Sequence, residues 1–431
     1  MKKYILVLVL NLILPLSAIA NTTAPKNNCK ALLEAIRNEN ISLVKELLKT
    51  TSPNCIDDNP EYKKIIVEHY TFMKEKAVAP LLAAARKGNM EITKLLFASG
   101  AKVDLYAEGD GTALLTAARC GYLDLMKYLI EKGADIHKGY ANHGDVLITA
   151  ARKGRTEIVS FLLKKGLQVN RRFPNQGTAL IIAANNGHTE TVELLLKNGA
   201  EIDLKTPNQG TALIAAANNG FTDTVKFLIS KGADINGRSA NRGTALIVAA
   251  NNGFTDTVKY ILSQGVDVDQ HSMNQGTALI TAANNGQDDT VRFLLSQGAD
   301  IDLDAPNRGT ALIVAANNGH AETIALLLSK GAKIDRVSRN RGTALFVAAN
   351  NGHTETIKLL LHKGADINVI SRNHGTALIG AANNGYTNTV RYLVSKGADV
   401  NIEVNGRTAL SAAMNNEYSI TTKYLKSKGA R

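Results

Sequence analysis

From about residue 77 onward, apolar positions come in paired bursts. A compact run such as Ala179-Leu180-Ile181-Ile182-Ala183-Ala184 is followed by the polar turn Asn185-Asn186-Gly187, and then by a segment whose Val192, Leu195 and Leu196 recur at helical spacing. The first run is apolar on every side and predicts a short buried helix; the second carries an i, i+3, i+4 stripe and predicts an amphipathic one. Thr178 stands where a hydroxyl caps the first helix and Thr189 where one caps the second, with Glu190 at the positive end of its dipole. Gly199 stops the second helix, Lys197 suits its last turn, and Ile202 leads into an extended arm tipped by Thr206-Pro207-Asn208-Gln209-Gly210.

The unit recurs every 33 residues. Gly-Thr-Ala-Leu begins at Gly111, Gly177, Gly210, Gly243, Gly276, Gly309, Gly342 and Gly375, with the variant Gly144-Asp145-Val146-Leu147 in the one gap. Asn-Asn-Gly keeps step from Asn185 to Asn383, and Gly-Ala-Asp or a variant from Gly199 to Gly397. Self-similarity at this period means stacked helix pairs, and it overrides the two or three domains that 431 residues would otherwise suggest. About twelve units are read, the first of them degenerate.

These residues resemble the ankyrin repeat, in which Gly-x-Thr-Pro-Leu-His-x-Ala-Ala-x-x-Gly-His precedes an aliphatic second helix and Gly-Ala-Asp-Val-Asn. The match here is Gly177-Thr178-Ala179-Leu180, Ala183-Ala184, Gly187-His188, Leu194-Leu195-Leu196 and Gly199-Ala200. The resemblance implies an all-α solenoid of stacked helix pairs with extended, β-hairpin-like arms. It also implies a non-catalytic scaffold that binds proteins on its concave side. Two departures stand out: the family's Pro-Leu-His reads Ala-Leu-Ile, and the glycine sits one residue nearer the threonine, except at Gly406-Arg407-Thr408.

The ends differ from the middle. Met1-Lys2-Lys3, an apolar run to Leu16 and Ala18-Ile19-Ala20 have the order of a secretory signal peptide, with cleavage between Ala20 and Asn21; an uncleaved anchor is the alternative. The expected organisation is a leader over 1–20, a degenerate helix pair with a charged connecting segment over 21–76, and the solenoid over 77–431. Its polar cap spans about 402–431, where Thr422, Lys426 and Ser411 replace apolar residues. Export to periplasm or medium is expected, with no membrane span after cleavage. Cys29 and Cys55 fall at the same end of an antiparallel helix pair, so a bridge between them is expected, with two unpaired thiols the alternative; Cys120 is left as a free thiol.

Net charge is +12, or +10 without the leader's Lys2 and Lys3, which suits an acidic partner without demanding nucleic acid. The nine histidines are scattered, and His188, His320 and His353 share one structural position. No metal-ligand spacing, phosphate loop or nucleophile–base pair is present, so no catalysis, cofactor or metal is expected. The candidate partner-binding residues are the asparagine pairs Asn185 and Asn186, Asn218 and Asn219, Asn251 and Asn252, Asn284 and Asn285, Asn317 and Asn318, Asn350 and Asn351, Asn383 and Asn384. To these are added the tip arginines Arg242, Arg308 and Arg341, beside Arg336, Arg339 and Arg372. The pairs read either as helix ends or as a repetitive surface for a polysaccharide or filament. A monomer that binds a protein of the envelope or of a host is the leading expectation; a repetitive or anionic polymer is the alternative, and nucleic acid is not expected.

Overall fold

The computed structural model describes residues 25–56, 79–107, 111–140, 144–173, 176–206, 209–239, 242–272, 274–371 and 374–431. The leader, its Ala20–Asn21 junction, most of the charged connecting segment and Arg372 lie outside the described residues. Among the described residues there are 24 helices in twelve pairs, and in every pair after the first the shorter helix comes first. The chain divides into two compact units, residues 1–146 and 147–431. No described helix is long and apolar enough to cross a membrane.

In the second unit the repeat forms as its sequence dictates. The Thr178 hydroxyl accepts the N–H of Ile181 at 3.3 Å and caps the helix Ala179–Asn185. All six residues from Ala179 to Ala184 are buried, and the alanines at the end of the helix bring its backbone close to its neighbours. The second helix, Thr189–Lys197, buries Thr191, Val192 and Leu195 and leaves Leu196 half-buried. From Ala179–Asn185 to Ala409–Asn415 each short helix packs on the next, as Ala212–Asn218 does on Ala179–Asn185.

One capping assignment needs correction. Thr189 is the first residue of its helix, not its cap; His188 holds the N-cap position without a side-chain bond. The Thr189 hydroxyl instead meets that of Thr224, 2.7 Å away in the next repeat, and Thr222–Thr257 and Thr255–Thr290 repeat the contact. A hydroxyl that finds a partner one repeat on is no longer needed by its own helix end.

The arms are closed by single antiparallel bridges. Thr206 and Gly210 exchange backbone bonds at 3.0 Å, as do Ser272 and Gly276, with three residues between. The last arm bridges Val404 to Arg407 across two residues, Asn405 and Gly406, both at positive φ (52° and 75°), the signature of a type I′ turn. The same comparison links isoleucine in place of histidine with the glycine that sits one residue nearer the threonine. The isoleucine that replaces the family's histidine lies against the arm glycine: a Cβ on Gly210 would stand 3.1 Å from Ile214 Cδ1, and one on Gly309 3.0 Å from Ile313 Cγ2. Where the spacing reverts, Gly406 has open space beside it and the position holds Ser411. Its hydroxyl accepts the Thr408 N–H while its own N–H bonds the Thr408 hydroxyl, a reciprocal capping box.

The first described helix of the first unit is Pro25–Arg37; the apolar run from Ala31 predicts a later start with Cys29 before it, whereas Cys29 lies inside the helix. Proline suits a first turn, where no N–H is needed. Ile41–Leu47 completes the pair, and a disulfide joins Cys29 to Cys55 across a Cα separation of 5.9 Å. Asn54, beside the bridge, donates to Gly100 O at 2.9 Å and accepts from Lys102 N at 2.6 Å, tying the loop to the following repeat. Cys120 is a half-buried free thiol. At the other end, Thr422 and Ser411 are half-exposed and Lys426 exposed, where Val390 and Ile379 of the preceding unit are buried.

Candidate interaction surface

The asparagine pairs come together as a ladder of hydrogen bonds running from repeat to repeat. The second asparagine of each pair reaches back to the first of the preceding pair. The side-chain amide of Asn219 donates to Asn185 O at 3.1 Å, Asn252 to Asn218 O at 2.8 Å, Asn285 to Asn251 O at 2.8 Å, Asn318 to Asn284 O at 2.7 Å and Asn384 to Asn350 O at 3.1 Å. Asn351 reaches Asn317 Oδ1 at 3.1 Å, and Asn186 bonds Ile182 O of its own helix at 2.7 Å. In three pairs the first asparagine turns onto its neighbour, as when Asn251 donates to Asn252 Oδ1 at 2.9 Å. Asn383 Oδ1 accepts from Asn416 at 3.4 Å. The second amide satisfies carbonyls that every helix end leaves without an intrahelical partner.

The histidines serve the same seam. His188 Nε2 is 3.0 Å from Arg152 O, His320 Nε2 3.0 Å from Asn284 O, and His353 Nε2 2.9 Å from Asn317 O. Phenylalanine takes the place in other repeats and lies on the preceding turn glycine, so closely that a Cβ on Gly187 would stand 2.4 Å from the Phe221 ring.

A further seam escaped the sequence reading. The first aspartate of each Gly-Ala-Asp turn bonds locally, as Asp300 Oδ1 does to Asp302 N at 2.9 Å. The Asx residue two positions on accepts a backbone N–H from the next repeat: Asn170 from Glu201, Asp203 from Asp234, Asp302 from Lys333 and Asn368 from Asp399. Burial pushes the Asp269 and Asp335 carboxyls up, against the pull of the N–H each accepts. On the second helices a cation of one repeat lies over a ring of the next, as Lys226 over Tyr260 at 5.9 Å and Arg391 over Tyr424 at 5.2 Å. Recurring Lys and Tyr or Phe 34 residues apart was the signal for this row.

The tip arginines are partly engaged. Arg308 donates from Nε to Asn274 O and from Nη2 to Gln275 Oε1, both at 3.1 Å, and Arg341 from Nε to Asn307 O at 3.1 Å. Arg242 is half-buried on its arm, and Arg339 is exposed. In the first unit Tyr106 and Tyr140 stack with centroids 4.7 Å apart, and burial first, then the Asp104 carboxylate, pushes the Tyr140 phenol up to about 12. Tyr386 is exposed at a second-helix start. No described group of three or more His, Cys, Asp or Glu is placed to hold a metal.

A family description of ankyrin repeats, built from three copies, matches residues 32–140, 138–206, 213–305, 279–371 and 369–431. The chain belongs to the ankyrin-repeat family. Ankyrin repeats generally mediate protein–protein interaction, and proteins built from them are typically non-catalytic scaffolds. Among solved structures, the crystal structure of the human ASB11 ankyrin repeat domain is 28% identical over 51% of this chain and 98% of that one, with a TM-score of 0.46. No curated protein matches.

One row of described arm positions runs along the chain from repeat to repeat. Arg172, Lys205, Arg238, His271, Asp304, Val337 and Ile370 stand 33 residues apart. All but the half-buried Asp304 are exposed. Where the asparagine ladder repeats, this row changes from arm to arm.

Proposed function

We propose that the protein is a non-catalytic scaffold that binds a protein partner through its arm face after export from the cytoplasm. The observation that carries this reading is the division of labour between positions. The recurring asparagines bond one repeat to the next, as do the histidines and threonines in the repeats that carry them, while the exposed arm position changes from repeat to repeat. A surface with different chemistry on each arm suits a protein with local detail. The same hydrogen bonds weigh against the repetitive-polymer alternative, because the amides that would read a regular polymer already bond neighbouring repeats. Export rests on the leader's charged, apolar and small-residue order.

Two measurements test this. A photo-crosslinking residue placed at Arg238 or His271 is expected to trap a discrete protein from envelope or extracellular material, whereas one placed at the buried seam position Thr224 traps none; equal yields at both refute the arm face. Intact mass of the chain expressed in a Gram-negative host is expected to begin at Asn21 in periplasm or medium; a full-length product in cytosol or membrane refutes export.

A further inference from the structure

Two neighbouring arms depart from the charged row. Val337 and Ile370 are 41% and 49% exposed, at the position held by Arg172, Lys205, Arg238, His271 and Asp304 in the five arms before. A branched apolar side chain gains nothing from water, and two in succession make a patch rather than scatter. The arms that bear them touch: a Cβ on Gly342 would stand 3.1 Å from Ser371 Cβ, and the following helices, Ala344–Asn350 and Ala377–Asn383, pack together.

The patch is rimmed by positive charge. Arg336 and Arg341 flank Val337 along its own arm, with exposed Arg339 at the tip. Asp335, two residues before Val337, accepts the N–H of Asp366 at 3.2 Å, and Asp304, at the position of Val337 on the preceding arm, accepts the Ser338 hydroxyl at 2.8 Å. Glu403, exposed on the arm after Ile370, is the other acid in this row.

We infer that the arms carrying Val337 and Ile370 dock a short acidic helix of the protein partner, through two aliphatic side chains seated on these residues and carboxylates on the surrounding arginines. This deepens the binding-scaffold reading and rests on it. The spacing selects a helix. Packed helical layers are about 8–10 Å apart, and seven residues of helix rise about 10.5 Å, which returns positions i and i+7 to one face. An extended chain covers that distance in about three residues, which puts the two anchors on opposite faces. Arginine suits carboxylates because its planar fork binds them in pairs.

The test uses the full chain and an 18-residue fluorescent helical peptide with two leucines seven apart and glutamates flanking both, read by anisotropy. A second peptide carries lysine for each glutamate. The first peptide is expected to bind and the second not. Val337→Ser with Ile370→Ser, and separately Arg336→Glu with Arg339→Glu, are each expected to weaken binding about tenfold or more at unchanged melting temperature, while Lys164→Glu, at the exposed end of the helix Thr156–Lys164 and away from the arms, leaves it intact. Failure of the first peptide to bind, equal binding of both peptides, or full affinity in the Val337 and Ile370 variant overturns the inference. The scaffold reading is judged separately, by crosslinking at Arg238 and His271, and stands if only the peptide result fails.

Discussion

At the residue scale, the departures from the family pattern are one coupled change. Isoleucine in place of histidine gains burial but removes a local hydrogen-bond partner, and the arm glycine shifts to make room for it. Substituting Gly210 with Ala adds both the left-handed strain of φ +74° and a clash with Ile214 and Ser239, whereas Gly406→Ala adds only the strain. The strain alone costs about 1–2 kcal/mol. Denaturant midpoints are therefore expected to fall further for Gly210→Ala than for Gly406→Ala, and equal losses would remove the isoleucine contact from the account. Asp335 offers a pH test. Its carboxyl is raised above 3.8 by burial, so the native state favours the protonated form, and this group's contribution to stability is lost as pH rises through the folded value. Asn368 accepts the corresponding N–H without a charge. Asp335→Asn is expected to raise the melting temperature at pH 7, with the gain vanishing at acid pH where the aspartate is protonated too; a loss at pH 7 contradicts the burial argument. Glycines, the threonine caps of the first helices and the helix stops were legible in the sequence because each acts within a few residues. The compensation between Ile214 and Gly210 was not, because it needs side-chain positions.

At the scale of elements, the repeats are held by parts that bond across separations of 31 to 36 residues rather than within one unit. A reading confined to one unit gives Thr189 to its own helix end and the Asx residues to local turns. The first assignment is wrong because Thr224 supplies a nearer use; the second is right for the leading aspartates Asp234, Asp300, Asp366 and Asp399, and the Asx residue two positions on bonds the next repeat instead. Neighbouring helices also match in size. Phe346 replaces the usual isoleucine, and the helix packed on it carries Gly380, whose added Cβ would lie 3.0 Å from Phe346 Cε2. Gly380→Ala is expected to destabilise the chain beside Phe346 but to be neutral or stabilising with Phe346→Ile, since alanine is the better helix former by about 1 kcal/mol. Additive effects in that cycle would mean that the two residues do not interact.

At the scale of the molecule, the all-α repeat fold was legible from the period alone, since twelve helix pairs follow wherever the pattern recurs. The binding face was less so. The sequence shows both the constant asparagines and the variable arm positions Lys205, Arg238, His271 and Asp304, but only side-chain positions show that the asparagines bond to one another. The disulfide belongs to this scale because it closes a loop around the degenerate first pair. Reductant is expected to speed hydrogen exchange over residues 25–56 while residues 147–431 keep their protection; unchanged exchange over 25–56 would show that the pair holds without it. The most direct test of the central claim, that the constant ladder is architecture and the variable arms are left for a partner, is thermal unfolding of two triple variants. Asn252, Asn285 and Asn318 all changed to Ala is predicted to lose roughly 1 kcal/mol per amide and melt well below the parent, while Lys205, Arg238 and His271 all changed to Ser melts with it. A ladder variant that melts like the parent, or an arm variant that falls with it, would contradict the account.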